Sequence, residues 1–185
     1  MGWTVWFFFG LIALTAIERL VEVRFSKQHA AWAFAHGGQE LGQSHYPFMV
    51  VLHTAFLIAM PLEVWLLSRT VSPLMMLGMF VLAMGCQVLR WWCITTLGPR
   101  WNSRVIIVPG LPRITDGPYK HPWLRHPNYF AVVLEGIVLP MVHGAWLSAL
   151  VFSVLNAFLL RERIRVEEKA LAMLSRPALW AQPES

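Results

Sequence analysis

Charge is scarce in this sequence. Only 14% of its 185 residues are Asp, Glu, Lys or Arg, against roughly 25% in an ordinary soluble domain. Cysteine is scarce too. Cys86 and Cys93 stand seven apart inside an apolar stretch, so they make neither a CxxC redox pair nor a disulfide framework. The sequence has no GxGxxG after a strand, no P-loop, no HExxH, no Cys/His cluster at zinc spacing and no nucleophile elbow. A soluble Rossmann-type cofactor domain is therefore excluded. No internal repeat of 20–50 residues is visible. Met1 leads straight into an apolar block without a basic n-region, so no cleavable signal peptide is expected.

What the chain does have is apolar residues in long blocks: 57% of the total, with ten Trp and eleven Phe and a mean hydropathy of +0.53. A water-facing shell cannot be built from that supply, and the chain reads as a membrane protein. At ~20 apolar residues per crossing, its length allows four to six helices in one domain. The first span is expected over 3–25, followed by a polar stretch over 26–45 with a break at Gly37-Gly38. A second span falls over 47–68, a turn over 69–72 and a third span over 73–97. Residues 98–126 differ in kind: five prolines, five basic residues and a short strand-like run, Val105 to Val108. Structureless connections longer than about 12–15 residues are usually functional or disordered, and the aromatic content here argues against disorder. A short helix over 127–142, a turn at Gly144 and a long helix over 145–174, apolar to Leu160 and then strongly charged, complete the chain, with a loose tail after Arg176. The expected fold is thus all-α, with about five transmembrane helices. Three lie in 1–97, and 98–185 forms a core of connector, helical hairpin and charged C-terminal helix.

The net charge of +5 bears on orientation rather than on nucleic acid, which is not expected as a partner. With the N-terminus outside, twelve of the 15 Lys and Arg residues fall on inner segments and only Arg69 on an outer turn; Arg19 and Arg90 lie within spans. The positive-inside rule then puts the C-terminus and all of the irregular polar structure in the cytoplasm.

Two constellations could carry chemistry. In Arg125-His126-Pro127-Asn128-Tyr129, Pro127 drives His126 out of the helical region and suits a first helical turn. His126 then stands at a helix N-terminus, where free N–H groups receive anions or polar edges. Arg163 and Glu167 lie four apart on one helix face and can offer a cation and an anion to one ligand. A solvated helix end with i,i+4 pairs is the bland reading, but ionisable groups near lipid depth tend to line polar cavities. Glu63 reads as reaching the interface, and Glu135 sits mid-helix and needs a partner. The lone His residues, His45 and His53, read as structural. Asn156 fits a helix–helix hydrogen bond, and Trp91 and Trp92 fit an interface belt.

Gly117-Pro118-Tyr119, then Arg125-His126-Pro127-Asn128-Tyr129, then Arg163 with Glu167-Glu168 resemble the isoprenylcysteine carboxyl methyltransferase family. These are integral membrane enzymes that use S-adenosylmethionine. The resemblance extends upstream through Leu97-Gly98 and Trp101-Asn102 to Pro109-Gly110 and covers roughly residues 95–172. The N-terminal half, with Glu18-Arg19-Leu20-Val21-Glu22 and His45-Tyr46-Pro47, is similar to the bacterial branch. Part of that branch is linked to type III polyketide synthases and O-methylates alkylpyrone- or alkylresorcinol-type lipids. The resemblance implies cofactor contacts at Leu111, Pro112, Arg113, Ile114, Tyr119, His126, Pro127, Asn128, Tyr129 and Glu167, and an acceptor contact at Arg163. It implies no metal. One departure stands out: six residues separate Tyr119 from His126 where the family has three, so Lys120-His121-Pro122-Trp123 is expected to bulge.

The expected function is S-adenosylmethionine-dependent O-methylation of a lipid-like acceptor, either an isoprenylcysteine carboxylate or an alkylpyrone or alkylresorcinol. The bacterial inner membrane is the expected location. A phenol or enol, only weakly acidic, would gain from a base, for which Glu135 and His53 are candidates. An N-methyltransferase of phospholipid headgroups and a catalytically silent membrane scaffold are the competing readings.

Overall fold

The computed structural model describes residues 2–121 and 124–174. Pro122 and Trp123, in the expected bulge, and the tail after Arg176 lie outside the described residues. The first helix, α1, runs from Trp3 to Ala35, ten residues beyond the expected end of the first span. Nothing between Phe25 and Ala35 breaks a helix, and three of those residues are Ala, the strongest helix former. Ser26, Ala30 and Ala33 are also buried, so packing holds the extension. Gly37 ends it with φ +77°, and a Cβ on Gly38 would stand 2.7 Å from the Ala33 carbonyl oxygen.

Helix α2 spans Tyr46–Leu66, α3 Pro73–Leu97, α4 Pro127–Met141 and α5 Trp146–Leu174. The strand-like run becomes β2, Val105–Ile107, which pairs antiparallel with β1, Gln39–Leu41, in the register Gln39↔Ile107 and Leu41↔Val105. Three residues are too few to show a period, and β1 was not legible. This two-stranded ribbon packs on Val166 and Ala170 of α5 and is the one exception to an all-α fold among the described residues.

The polarity of the molecule is inverted. Trp3, Leu14, Leu20, Leu74, Val88 and Phe158 are exposed, whereas Glu22, Glu63, Glu135 and Arg163 are buried. Helices α1, α2 and α3 are long and apolar enough to cross a membrane. Helix α4 has 15 residues, a rise of roughly 22 Å at 1.5 Å per residue, short of a ~30 Å hydrocarbon core. It pairs with α5, and Phe152 of α5 stacks on Phe56 of α2 at 4.0 Å. A Cβ on Gly136 of α4 would stand 2.5 Å from the Phe152 ring, so only glycine permits this approach.

The two ends of the bundle differ. At one end, Glu63 of α2 accepts from the backbone N–H groups of Leu147 (3.1 Å) and Ser148 (2.7 Å) and from the Ser148 hydroxyl, and pairs with Arg69 at 3.0 Å. It caps the start of α5, satisfying donors that the first helical turn leaves orphaned, rather than simply reaching the interface. His143 meets Thr4 at this same end. The ribbon and the 98–121 segment occupy the other end.

Midway along the bundle, charges join α1, α3 and α4. Arg90 grips Glu22 through two nitrogens at 2.5 and 2.6 Å, and Arg19 donates to Glu22 at 2.7 Å and Gln87 at 2.8 Å. Arg19 also reaches Glu135 at 3.1 Å, which Gln87 meets at 2.9 Å. Trp91 donates to Glu18, so it is anchored in this network rather than serving only as an interface residue. Breaking a buried pair costs about 3–5 kcal/mol because the surviving charge is stranded. Arg90→Met should therefore destabilise the detergent-solubilised protein by that amount in unfolding measurements, and Arg90→Met with Glu22→Leu should recover much of the loss. Equal stability of the single and double variants would refute the pairing.

Candidate functional site

The segment after α3 is pinned to α1 before it reaches β2. Ser26 Oγ meets Asn102 Oδ1 at 2.8 Å and accepts from the Ser103 N–H at 3.1 Å, while Asn102 Nδ2 donates to the Ser26 carbonyl at 3.0 Å. His29 Nδ1 donates to the Trp101 carbonyl at 2.8 Å. Further along, Arg100 donates to the Pro112 carbonyl at 2.7 Å and Arg113 to the Arg125 carbonyl at 3.4 Å. These bonds bend the segment into one wall of a cavity of about 170 Å³. The starts of α4 and β2 and the charged half of α5 form the rest.

Of the eleven residues singled out in the sequence, all but Pro127 line this cavity. Leu111, Pro112, Arg113, Ile114 and Tyr119 come from the connector, His126, Asn128 and Tyr129 from the start of α4, and Arg163 and Glu167 from α5. Pro127 is buried in the first turn of α4, where it fixes how the helix begins and so how its neighbours are presented. Glu135 and His53 line a second, smaller cavity with Arg19 and Arg90. Glu135 there is engaged by Arg19 and Gln87, and His53 Nδ1 donates to the Met49 carbonyl at 2.8 Å.

The polar groups around the main cavity form a chain. Arg163 Nε donates to the Tyr129 hydroxyl at 2.8 Å, and that hydroxyl donates to Glu167 Oε2. The His126 ring stacks on Tyr129 at 5.3 Å, with Nδ1 3.4 Å from Glu167 and Nε2 2.9 Å from Glu168. A ring with a carboxylate at each nitrogen favours its doubly protonated form. The hydrogen bond to Glu167 is the main cause, and it outweighs burial to raise the His126 pKa above 6.5. Burial would raise Glu167, but hydrogen bonds from His126 and Tyr129 hold it below 4.5. The raised His126 contributes stability fully below pH 6.5 and loses it as pH climbs through its folded value. The lowered Glu167 contributes above pH 4.5 and loses it as pH falls through its folded value. Both contributions are complete between those two limits.

Arg163 is buried at 7% exposure, yet it makes no direct ion pair with Glu167 among the described residues. Its Nη1 lies 2.9 Å from the Met49 sulfur, and its Nη2 meets no acceptor among the described residues. Two polar atoms of residues that line the cavity, Asn128 Oδ1 and the Trp101 indole N–H, are themselves buried and meet no partner among the described residues. Buried polar groups are rarely left so. The sequence reading placed Trp101 only within the extent of the resemblance. The available signal was a lone indole in an otherwise polar stretch.

The sequence profile of the isoprenylcysteine carboxyl methyltransferase family matches residues 76–173, which include α4, all but the last residue of α5 and every residue of the cavity chain just described. The chain belongs to this family. It is also 36% identical over 164 residues, 89% of this chain and 96% of the relative, to the uncharacterized protein YpbQ of Bacillus subtilis strain 168. No solved structure matches the chain. Membership of a family of membrane methyltransferases agrees with the three long apolar helices.

The charge pattern around His126 is testable by NMR titration of its ring protons. In the wild type its midpoint should lie above 6.5, and Glu167→Gln should move it down towards that value. A midpoint unchanged by the substitution would remove Glu167 as the main cause.

Proposed function

We propose that this protein transfers a methyl group from S-adenosylmethionine to an oxygen of a lipid-like acceptor. One observation carries the reading. A single cavity gathers a buried guanidinium with a nitrogen to spare and a carboxylate held ionised, beside an imidazole and a phenol. These groups fit the cofactor: Glu167 with His126 and Tyr129 would hold its amine end. Val105, Ile107, Leu111 and Ile114 would face its apolar parts. When bound, S-adenosylmethionine supplies an electrophilic methyl group on a sulfonium, and transfer is a one-step displacement.

The protein's own task is alignment and exclusion of water. Arg163, one turn nearer the apolar half of α5 than Glu167, is where an acceptor arriving through lipid would dock. Its fork suits a carboxylate or a phenolate, which favours O-methylation over methylation of an amine headgroup. An isoprenylcysteine carboxylate and an alkylpyrone or alkylresorcinol both meet that requirement.

Two sets of variants test this. His126→Ala and Glu167→Ala should each weaken S-adenosylhomocysteine in calorimetry by about 1–3 kcal/mol. Arg163→Lys should keep most of that affinity but lower methyl transfer to extracted membrane lipids by about 10- to 100-fold, because an ammonium cannot reproduce the fork. Near-wild-type transfer by Arg163→Lys removes Arg163 from the acceptor site. No S-adenosylhomocysteine binding by the wild type defeats the proposal.

The same reading sets five membrane-embedded helices in a bacterial inner membrane, with the N-terminus outside and the cavity in the cytoplasm. It draws support from the basic residues crowding the cavity end of the bundle. In intact cells, a membrane-impermeant thiol reagent should label Thr70→Cys and leave Gln39→Cys unlabelled until the membrane is opened. The reverse pattern would invert the topology.

A further inference from the structure

Arg163, the buried cation of the main cavity, has unequal partners. Its Nε donates to the Tyr129 hydroxyl at 2.8 Å, whereas its Nη1 meets the Met49 sulfur at 2.9 Å. A thioether is a weak acceptor, and a guanidinium bonds a charged oxygen far more strongly. The contact is therefore one that an anionic oxygen can replace with gain. Met49 is itself only partly buried, and its neighbours Phe48 and Val51 are each 67% exposed on the apolar surface. Its side chain thus stands between the guanidinium and the outer face of α2.

The seam between α2 and α5 is shut on either side of this point. At the polar end, a Cβ on Gly42 would stand 2.5 Å from the His45 ring and 2.8 Å from Val166, so the turn before α2 lies hard against α5. Towards the bundle interior, Phe56 stacks on Phe152 at 4.0 Å, and the His53 ring meets Phe152 edge to face at 5.1 Å. His53 Nδ1 also donates to the Met49 carbonyl at 2.8 Å. That bond fixes the backbone at Met49 and leaves the side chain as the part that can move. Methionine is unbranched and adaptable, so it can swing aside while the helix stays in place. We propose that Met49 is the gate through which the lipid-like acceptor reaches Arg163 between α2 and α5. The acceptor's oxygen displaces the Met49 sulfur from Nη1, and its chain stays in the seam and leads out to the bilayer. Met49 is therefore a specificity-determining residue, which reads the chain rather than the reacting oxygen.

This inference rests on the proposed docking of a lipid-like acceptor at Arg163, and the test separates the two. Methyl transfer would be measured on a long-chain alkylresorcinol and on orcinol, which carries a methyl group in place of the chain. The same comparison would be made between N-acetyl-S-farnesylcysteine and its S-methyl counterpart. Met49→Trp puts a rigid bulk in the seam. It should lower kcat/KM for the long-chain member of the methylated pair by about tenfold and for the short one by less than about twofold. S-adenosylhomocysteine affinity should not change. A fall shared equally by both chain lengths, or no fall in either, overturns the gate while the methyltransferase reading stands. If the wild type methylates no member of either pair, the acceptor reading fails and takes the inference with it. Should Met49→Trp not fold, or the short acceptor not turn over, Met49→Glu still decides. Its carboxylate would hold Nη1 against the acceptor's oxygen, so KM for the long-chain acceptor should rise by about tenfold while S-adenosylhomocysteine affinity holds. An unchanged KM overturns the displacement at Nη1 and the gate with it.

Discussion

The structure depends on the charges buried midway along three of its helices. Glu22 of α1 is gripped by Arg90 of α3 and touched by Arg19, which in turn reaches Glu135 of α4. Apolar side chains cannot tell one lipid-exposed helix face from another, because lipid is as apolar as they are. A guanidinium that finds its carboxylate on a neighbouring helix can. The network therefore sets the register of α1, α3 and α4, and register is what the site requires. Only with α1 and α3 in step does Ser26 meet Asn102 and Ser103, and only then is the chain leaving α3 bent back over the start of α4.

Packing completes what the charges begin. Gly136 lets Phe152 lie close against α4, and Phe152 carries the contact on to Phe56 of α2. At the far end, Glu63 ties α2 to the first turn of α5. Helix α5 is thus fixed at its start by a cap and along its length by α2 and α4. Its charged half has to leave the apolar bundle in one direction, and that direction takes it under the β1–β2 ribbon, whose apolar side chains cover Val166 and Ala170.

Much of this was legible in the sequence, for physical reasons. Helices α2 to α5 announce themselves through apolar blocks, those of α2, α3 and α4 with a proline at their starts, and β2 through a β-branched run. His126-Pro127 announces the start of α4 and, with it, where the cavity lies. The continuation of α1 to Ala35 was hidden because a polar helix and a polar loop share a composition; burial of Ser26, Ala30 and Ala33 decides between them, and burial is tertiary. Strand β1 was hidden because it exists only opposite β2. The role of Glu63 needed a partner 84 residues away. In each case the missing information was a contact between segments distant in the chain.

The Tyr129 hydroxyl shows how tertiary contact changes what a local pattern means. Arg163 and Glu167 are four apart on a helix, a spacing that in isolation yields an ion pair. Here the phenol of α4 stands between them, accepting from the guanidinium and donating to the carboxylate. A direct pair would neutralise both groups and leave nothing for a ligand. With the phenol interposed, the carboxylate keeps its second oxygen for His126, and the guanidinium keeps a nitrogen facing no protein acceptor among the described residues. One helix face can then present a cation and an anion to two different ligands. The cation lies towards the apolar half of α5 and the anion towards the polar end, the order in which a lipid and a water-soluble cofactor would reach them.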